Sequence, residues 1–463
     1  MSIPLALIYS TNFFRAVNIV YLFLLKHISL EHKYTHLIEE LMNQPKPSNS
    51  QETTPIASLS EIPALSYKVF FICLIGVTFA NLDHSIFILV SEKFQSDFGW
   101  SLTDVGWYVA LTFFISGLLC TQVGVLTDRI GRKKSLLLST FLTPVFVAYL
   151  AIAPNTLAIL IARTLGFTAA GAQSPITLTT VTESSPPRFR GLFTGILQIG
   201  FPLGWFFASI LVTFMIDQLG INWRYTFLLA LLFLPYGWII HKYLPESKVW
   251  LAAQARKTDD QPNPSTMILF TKQWRRKSLL LFSGQFLYAF AYGSTLMLVL
   301  YFTQARGWDI VDAIKIVGYS YGIGAFGYIA AAIVGEFLLT RRNTIILWAL
   351  LGSIAFVFLI WWAKSWTQVL VMYGMMTLFF YGAYAVMATF IAENFPAELR
   401  ATAASFSGTL AINLGFGLGP LAITYAATNF GWNMAYTYVG IIPIILAAMI
   451  FLLLKPVPRE DVF

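Results

Sequence analysis

An aspartate and a histidine stand side by side, Asp83 and His84, inside the otherwise apolar run FANLDHSIF. Ionisable side chains in such a setting are costly to desolvate and are retained where they meet protons, ions or partner charges. The imidazole, with an ordinary pKa near 6.5, suits proton exchange around neutrality. Successive helical residues point about 100° apart, so the two groups must address different neighbours. A third ionisable residue, Arg163, lies near the start of the apolar run IARTLGFTAAGAQSP. A guanidinium there can hold a carboxylate through two parallel N–H bonds, or serve as counter-ion to Asp83. The structural alternative is the same for all three: a buried polar side chain can simply hydrogen-bond a neighbouring helix.

Uncharged polar residues recur in the apolar runs: Gln198, Gln285, Tyr288, Tyr292, Tyr319, Tyr321, Tyr381, Tyr384 and Asn413. Gln285, Tyr288 and Tyr292 follow the i, i+3, i+7 spacing of one helix face, which either lines a cavity for an oxygen-rich solute or binds helices together. Covalent chemistry has no support. There is no Walker loop, HExxH or nucleophile elbow, so no enzyme and no cofactor are expected. Both cysteines, Cys73 and Cys120, lie in apolar runs without disulfide or metal-ligand spacing.

The elements that must position these residues follow from composition. Of 463 residues 57% are hydrophobic and only 11% charged, under half the charged content of soluble chains, about 25%. Such a chain covers a lipid-facing surface rather than a water-facing one. About twelve apolar runs long enough to cross a bilayer begin at Tyr67, near 67–91, 104–126, 134–153, 155–182, 191–216, 223–242, 278–303, 313–338, 343–363, 366–392, 401–428 and 432–454. Helices are predicted because a span must satisfy its backbone bonds internally, and no period-2 alternation suggests a barrel.

Basic residues concentrate in alternate loops: Arg129, Arg132, Lys133 and Lys134; Arg188 and Arg190; the segment from Lys248; Arg341 and Arg342; Arg400; Lys455 and Arg459. By the positive-inside rule both termini are expected in the cytoplasm. That distribution also accounts for the net charge of +8, leaving no reason to expect a nucleic-acid partner. The polar stretch 244–277, with TDDQPNPS, reads as a linker between two six-helix halves, 66–243 and 278–455, ahead of a tail at 456–463. An internal repeat supports the division. ESSPPRFR from Glu183 and ENFPAELR from Glu393 share E-x-x-P-x-x-x-R, and GVLTDRIGRKK from Gly124 is echoed by GEFLLTRRN from Gly335. Duplicated halves are what transporters use to place a site at the midplane.

The string Gly124-Val-Leu-Thr-Asp128-Arg129-Ile-Gly131-Arg132-Lys133-Lys134 resembles, position for position, the loop between helices two and three of the major facilitator superfamily. PESKVWL from Pro245 resembles a motif of its sugar porters and organic-acid:proton symporters. Arg163 through Gly191, with LQIGFPLG from Leu197, is most similar to the sialate and monocarboxylate branch. The resemblance spans about Ser66 to Lys455 and implies an all-α fold of about twelve transmembrane helices that moves a small solute by alternating access. It further implies a latch in which Asp128 and Arg132 meet Glu183, with a second around Glu393, Arg400 and Arg341 or Arg342. Asp83 matches the second acid of that branch's D-G-x-D pattern and would be the proton carrier. Ala80 and Gln173 replace two other acids, which puts the usual stoichiometry in question. Arg163 matches the branch's helix-four arginine.

The expectation is therefore proton-coupled symport of a small organic anion by a monomer in the plasma (inner) membrane. A sugar or polyol carrier ranks second, since the sugar-porter pattern Q-Q-x-S-G is replaced by SGQFLYAFAYG; a non-transporting receptor on the same scaffold ranks third. Residues 1–65 form an extension that is apolar over about Ile3 to Leu25 but interrupted by Arg15 and Asn18. It is either an extra helix or upstream of a true start at Met42.

Overall fold

The computed structural model describes residues 62–255 and 266–457. The N-terminal extension, its candidate start at Met42, the TDDQPNPS segment and the tail beyond residue 457 lie outside the described residues. Ten helices among those described are long and apolar enough to cross a membrane: α1 (Ala64–Leu89), α2 from Leu102, α5 (Arg190–Gln218), α6 (Trp223–Tyr243), α7 (Arg275–Ala305), α8 (Ile310–Leu338), α9 (Arg341–Trp361), α10 (Trp366–Glu393), α11 (Ala404–Phe430) and α12 (Trp432–Leu452). Two more, α3 (Arg132–Tyr149) and α4 (Thr156–Ser184), lie between them in sequence. The protein is an all-α membrane protein of two six-helix halves, and it crosses the membrane many times.

Local chemistry sets the ends of these helices. Ser101 and Asp104 form a capping box at the start of α2, each satisfying the other's orphan N–H. The helix ends at Gly131, whose φ of 98° is one that L side chains rarely adopt, and α3 starts at the next residue. Asn155 caps α4 by accepting the Ala158 N–H at 2.9 Å. The fifth span departs from a continuous reading. Its helix is interrupted between Leu197 and Gly200, because Pro202 lacks the N–H that would meet the Gln198 carbonyl. That carbonyl instead accepts from Phe201 at 3.1 Å, and Gln198 sits half-buried at the break.

Within the N-terminal half α1 packs on α4 and α5; within the C-terminal half α7 packs on α11 and α12. The halves meet along α2 with α11 and α5 with α8. The first contact carries a Trp107 Nε1–H bond to the Tyr425 hydroxyl at 3.2 Å. The second stacks Trp205 on Tyr321, with ring centres 4.6 Å apart and planes within 7°. Residues 82–90 of α1 are all buried, so Asp83 and His84 lie in the interior and not at the lipid face.

Candidate substrate and coupling site

Helical geometry sends the two side chains of the Asp-His pair to different partners, as the 100° step requires. His84 faces α4: its Nδ1 lies 2.8 Å from Arg163 Nη2, and the same Nη2 donates to the His84 carbonyl at 3.1 Å. A guanidinium only donates, so Nδ1 here must accept, which makes this imidazole neutral with its proton on Nε2. Arg163 is further held over the ring of Phe87, 4.6 Å from its centre, and near Phe167 at 5.5 Å. No direct ion pair joins Arg163 to Asp83 among the described residues, but the two charges are close enough to interact electrostatically while Arg163 bonds His84.

Asp83 turns instead toward α3, α4 and α6. Its Oδ1 has no hydrogen-bond partner, and Asp83 lines a cavity of about 10 Å³ with Ala80, Thr140, Thr143, Gln173 and Tyr236 and with the apolar Phe79, Pro144 and Phe233. That is about the room of one water molecule, by the criterion of roughly 10–15 Å³. Ala80 and Gln173, the two positions where acids are replaced, thus share a single cavity with the acid that remains.

The C-terminal half supplies aromatic and amide groups without charge. On α7, Gln285, Tyr288 and Tyr292 are all buried on one face. Tyr288 donates to the Phe380 carbonyl of α10 at 2.6 Å, and Tyr381 to the Thr295 hydroxyl at 2.7 Å. These two hydroxyls bind helices together. Both polar atoms of the Gln285 amide, and the hydroxyls of Tyr292, Tyr321 and Tyr384, meet no partner of good geometry. Asn413 donates to Thr409 of its own helix at 3.0 Å and lies where α11 approaches Gly117 of α2. Tyr319, by contrast, is 42% exposed and faces outward.

Aromatic contacts close into a circuit through both halves. From His84 it runs to Trp205 at 6.0 Å, to Tyr321, and on to Tyr381 at 5.1 Å. Tyr381 stacks on Tyr292 at 3.9 Å, and the path returns through Phe416 and Phe113 to His84. Trp205, whose buried Nε1–H has no partner, and the two phenylalanines escape a sequence reading that searches for polar groups. In a chain with 40 Phe, 13 Trp and 21 Tyr, no pattern singles them out.

A second set of charges gathers at the helix ends bearing the duplicated loops. Arg132 Nη2 lies 3.5 Å from Glu183 Oε1. Arg132 and Lys133 also donate their backbone N–H groups to Glu246 Oε1 at 2.9 and 3.2 Å. Glu246, from the P-E-S segment, therefore occupies the positive start of α3. Burial raises its carboxyl pKa above the ordinary value, partly offset by the bonds from Ser247, Lys133 and Arg132. Gly124 falls within α2, the Asp128 side chain lies outside what the structure describes, and Arg129 is exposed. In the C-terminal half Arg341, not Arg342, meets Glu393, and its other nitrogen bonds Glu336 at 2.7 Å. Arg342 bonds the Leu454 carbonyl, and Arg400 bonds that of Phe395 at 3.2 Å. Gly191 of α5 closes against this cluster: a Cβ there would come within 2.7 Å of both Arg341 Nη2 and Glu336 Oε2. Glu246 and Glu336 went unassigned in the sequence, although each stands inside a motif quoted from it.

The comparisons agree with this architecture. The chain is 24% identical over 415 residues to the niacin transporter NiaP of Acinetobacter baylyi, covering 84% of this chain and 93% of that one. It is 22% identical to the cis,cis-muconate transport protein of the same organism, covering 82% and 92%. Its fold matches an inward-facing, occupied bacterial homolog of the human lysosomal transporter Spinster, with a TM-score of 0.64 at 15% identity over 83% of this chain and 96% of that one. A sequence profile described as the Major Facilitator Superfamily matches residues 72–411 and 322–462. The chain belongs to the major facilitator superfamily of transporters and is a multi-pass membrane carrier of small solutes rather than an enzyme.

Proposed function

We propose that this transporter takes up a small planar carboxylate together with a proton, by alternating access, across the plasma membrane with both termini in the cytoplasm. The observation that carries the reading is the Arg163–His84 contact: a buried guanidinium held by a neutral imidazole is a cation that a stronger acceptor can capture. A substrate carboxylate offers two oxygens and a full charge, so it displaces the imidazole and binds bidentately. His84 Nδ1 is then free to accept a proton, which links the arrival of the anion to that of the proton, and Asp83, next along α1, stores it. The aromatic circuit around His84 offers ring faces to a flat solute, with the unpartnered Trp205 Nε1–H and the Tyr292 and Tyr321 hydroxyls, beside Tyr328 and Tyr381, as donors for its substituents. The relatives named for niacin and cis,cis-muconate point to the same chemistry.

Energetics favours coupling. Moving one negative charge inward against about 100 mV costs about 2.3 kcal/mol. A tenfold concentration ratio is worth about 1.4 kcal/mol. An uncoupled carrier would therefore leave its anion outside, whereas one proton per carboxylate removes the penalty. Purified protein in liposomes should accumulate nicotinate or cis,cis-muconate when the exterior is made acidic, and collapse of the pH gradient should abolish accumulation. Uptake indifferent to that gradient refutes the coupling.

A further inference from the structure

The cavity beside Asp83 has a chemistry that a proton alone does not exhaust. Three of the residues that line it carry an oxygen without a hydrogen-bond partner on a side chain more than nine-tenths buried: Asp83 Oδ1, Gln173 Oε1 and Thr140 Oγ1. Thr143 and Tyr236, also on its wall, give their protons away to the Ser139 and Ile72 carbonyls at 2.9 and 2.7 Å. Each keeps an oxygen lone pair. Set among the apolar Phe79, Ala80, Pro144 and Phe233, the polar residues of the wall thus each bring an oxygen that can accept. One of them is a carboxylate, and a proton on it can satisfy only one other oxygen. Carboxylate, amide carbonyl and hydroxyl oxygens are the ligand set of hard cations. The volume, about 10 Å³, suits an ion no larger than a water molecule. Na⁺ and Li⁺ lie well inside that limit, whereas K⁺, about the size of a water molecule, only just reaches it. A divalent ion is disfavoured because the wall holds one carboxylate and the charge of Arg163 is close by.

We infer that this cavity is a binding site for a small monovalent cation, Na⁺ or Li⁺, coordinated by Asp83, Gln173 and Thr140, and that Na⁺ there can stand in for the coupled proton. The exchange balances: the O–H bond of the protonated Asp83 carboxyl breaks, its proton leaves to solvent, the ion takes its place on the carboxylate, and the charge of the site is unchanged. The transport consequence rests on Asp83 being the coupling carboxylate; binding does not.

The test is a thermal melt of the purified full-length protein at fixed pH and ionic strength, with choline chloride replaced stepwise by NaCl, LiCl or KCl. A bound cation stabilises the folded state by mass action. The expected result is a saturable rise in melting temperature with NaCl and LiCl, little with KCl, lost in Asp83→Asn and weakened in Thr140→Val. Equal curves in NaCl and choline chloride, or a sodium effect that persists in Asp83→Asn, overturn the site. Should Asp83→Asn fail to fold, Gln173→Leu paired with Thr140→Val makes the same comparison. Nicotinate uptake into liposomes with pH equal on both sides and an inward NaCl gradient is the second arm. Stimulation by that gradient supports exchange of Na⁺ for the proton. A pH gradient that drives uptake while NaCl affects neither melting nor uptake removes the sodium site and leaves proton coupling standing.

Discussion

The middle of the N-terminal half holds three buried ionisable side chains, Asp83, His84 and Arg163, whereas the facing part of the C-terminal half holds Gln285 and a set of tyrosines with no charge among them. The same asymmetry is absent at the duplicated loops, where both halves keep an arginine paired to a glutamate, Arg132 with Glu183 and Arg341 with Glu393. Each loop thus keeps an arginine–glutamate pair within its own half, while the centres of the two halves differ. On the proposed function, ions fall to one half and shape to the other. Charge is handled where a helix pair supplies a counter-group, and the remaining surface is left to stacking and neutral hydrogen bonds, which discriminate by outline. If that division is real, substitutions in the two centres should fail in different ways.

The largest effect is expected at Arg163. Loss of two charge-assisted hydrogen bonds to the substrate, each worth about 1.5–3 kcal/mol, predicts that Arg163→Ala lowers nicotinate uptake by at least about 100-fold. The loss should appear in both pH-driven uptake and substrate counterflow. Full-rate counterflow would move anion recognition out of the N-terminal half and break the comparison at its base.

Asp83→Asn should separate the two modes. With the storing acid neutral, pH-driven accumulation disappears, while counterflow, which needs no net proton movement, continues within about tenfold of the parent, a cost below about 1.4 kcal/mol. Equal loss in both modes would make Asp83 a packing residue of α1. A smaller and different effect is expected from Trp205→Leu. A ring stack is worth about 0.5–1.5 kcal/mol beyond burial, so benzoate should lose about threefold to tenfold in apparent affinity while cyclohexanecarboxylate is little changed. Identical losses for the flat and the saturated acid would mean that the circuit packs helices and does not read shape.

The legible parts of this protein were those written in strong local chemistry. Spans such as α1 and α9 announce themselves because lipid tolerates no unsatisfied backbone. Asp83, His84 and Arg163 stand out because charge is rare there. The convergence of Ala80, Asp83 and Gln173 on one cavity was not legible, since residues on α1 and α4 share no sequence pattern; the resemblance marked Ala80 and Gln173 only as replaced acids. Trp205, Phe113 and Phe416 were invisible for the opposite reason: their side chains look like the rest of an aromatic-rich interior, and only the packing of α5, α2 and α11 brings them together. The interruption in α5 was encoded by Pro202, yet an uninterrupted apolar run hides it from hydropathy.

The smallest predicted effect tests whether the duplicated loops are as equivalent as their ion pairs suggest, because among the described residues only the N-terminal copy places a carboxylate, Glu246, on the start of a helix through bonds from Arg132 and Lys133. Burial holds the Glu246 pKa above its ordinary value of 4.5. The folded state therefore binds this proton more tightly than the unfolded state does. Between 4.5 and the raised folded value the native protein carries more protons, so this group's contribution to stability falls as pH rises through that window and is constant above it. Glu246→Gln removes the titration. Its melting temperature should lack that part of the decline with rising pH, measured as the difference between variant and parent from acidic to neutral pH. At neutral pH the variant also loses the favourable charge at the helix start, about 0.3–1 kcal/mol, so the sign of the net shift there reports whether burial or the helix end dominates. A parent-to-variant difference that stays flat across the window would show that Glu246 does not titrate with folding, and that the two loops differ in sequence without differing in electrostatics.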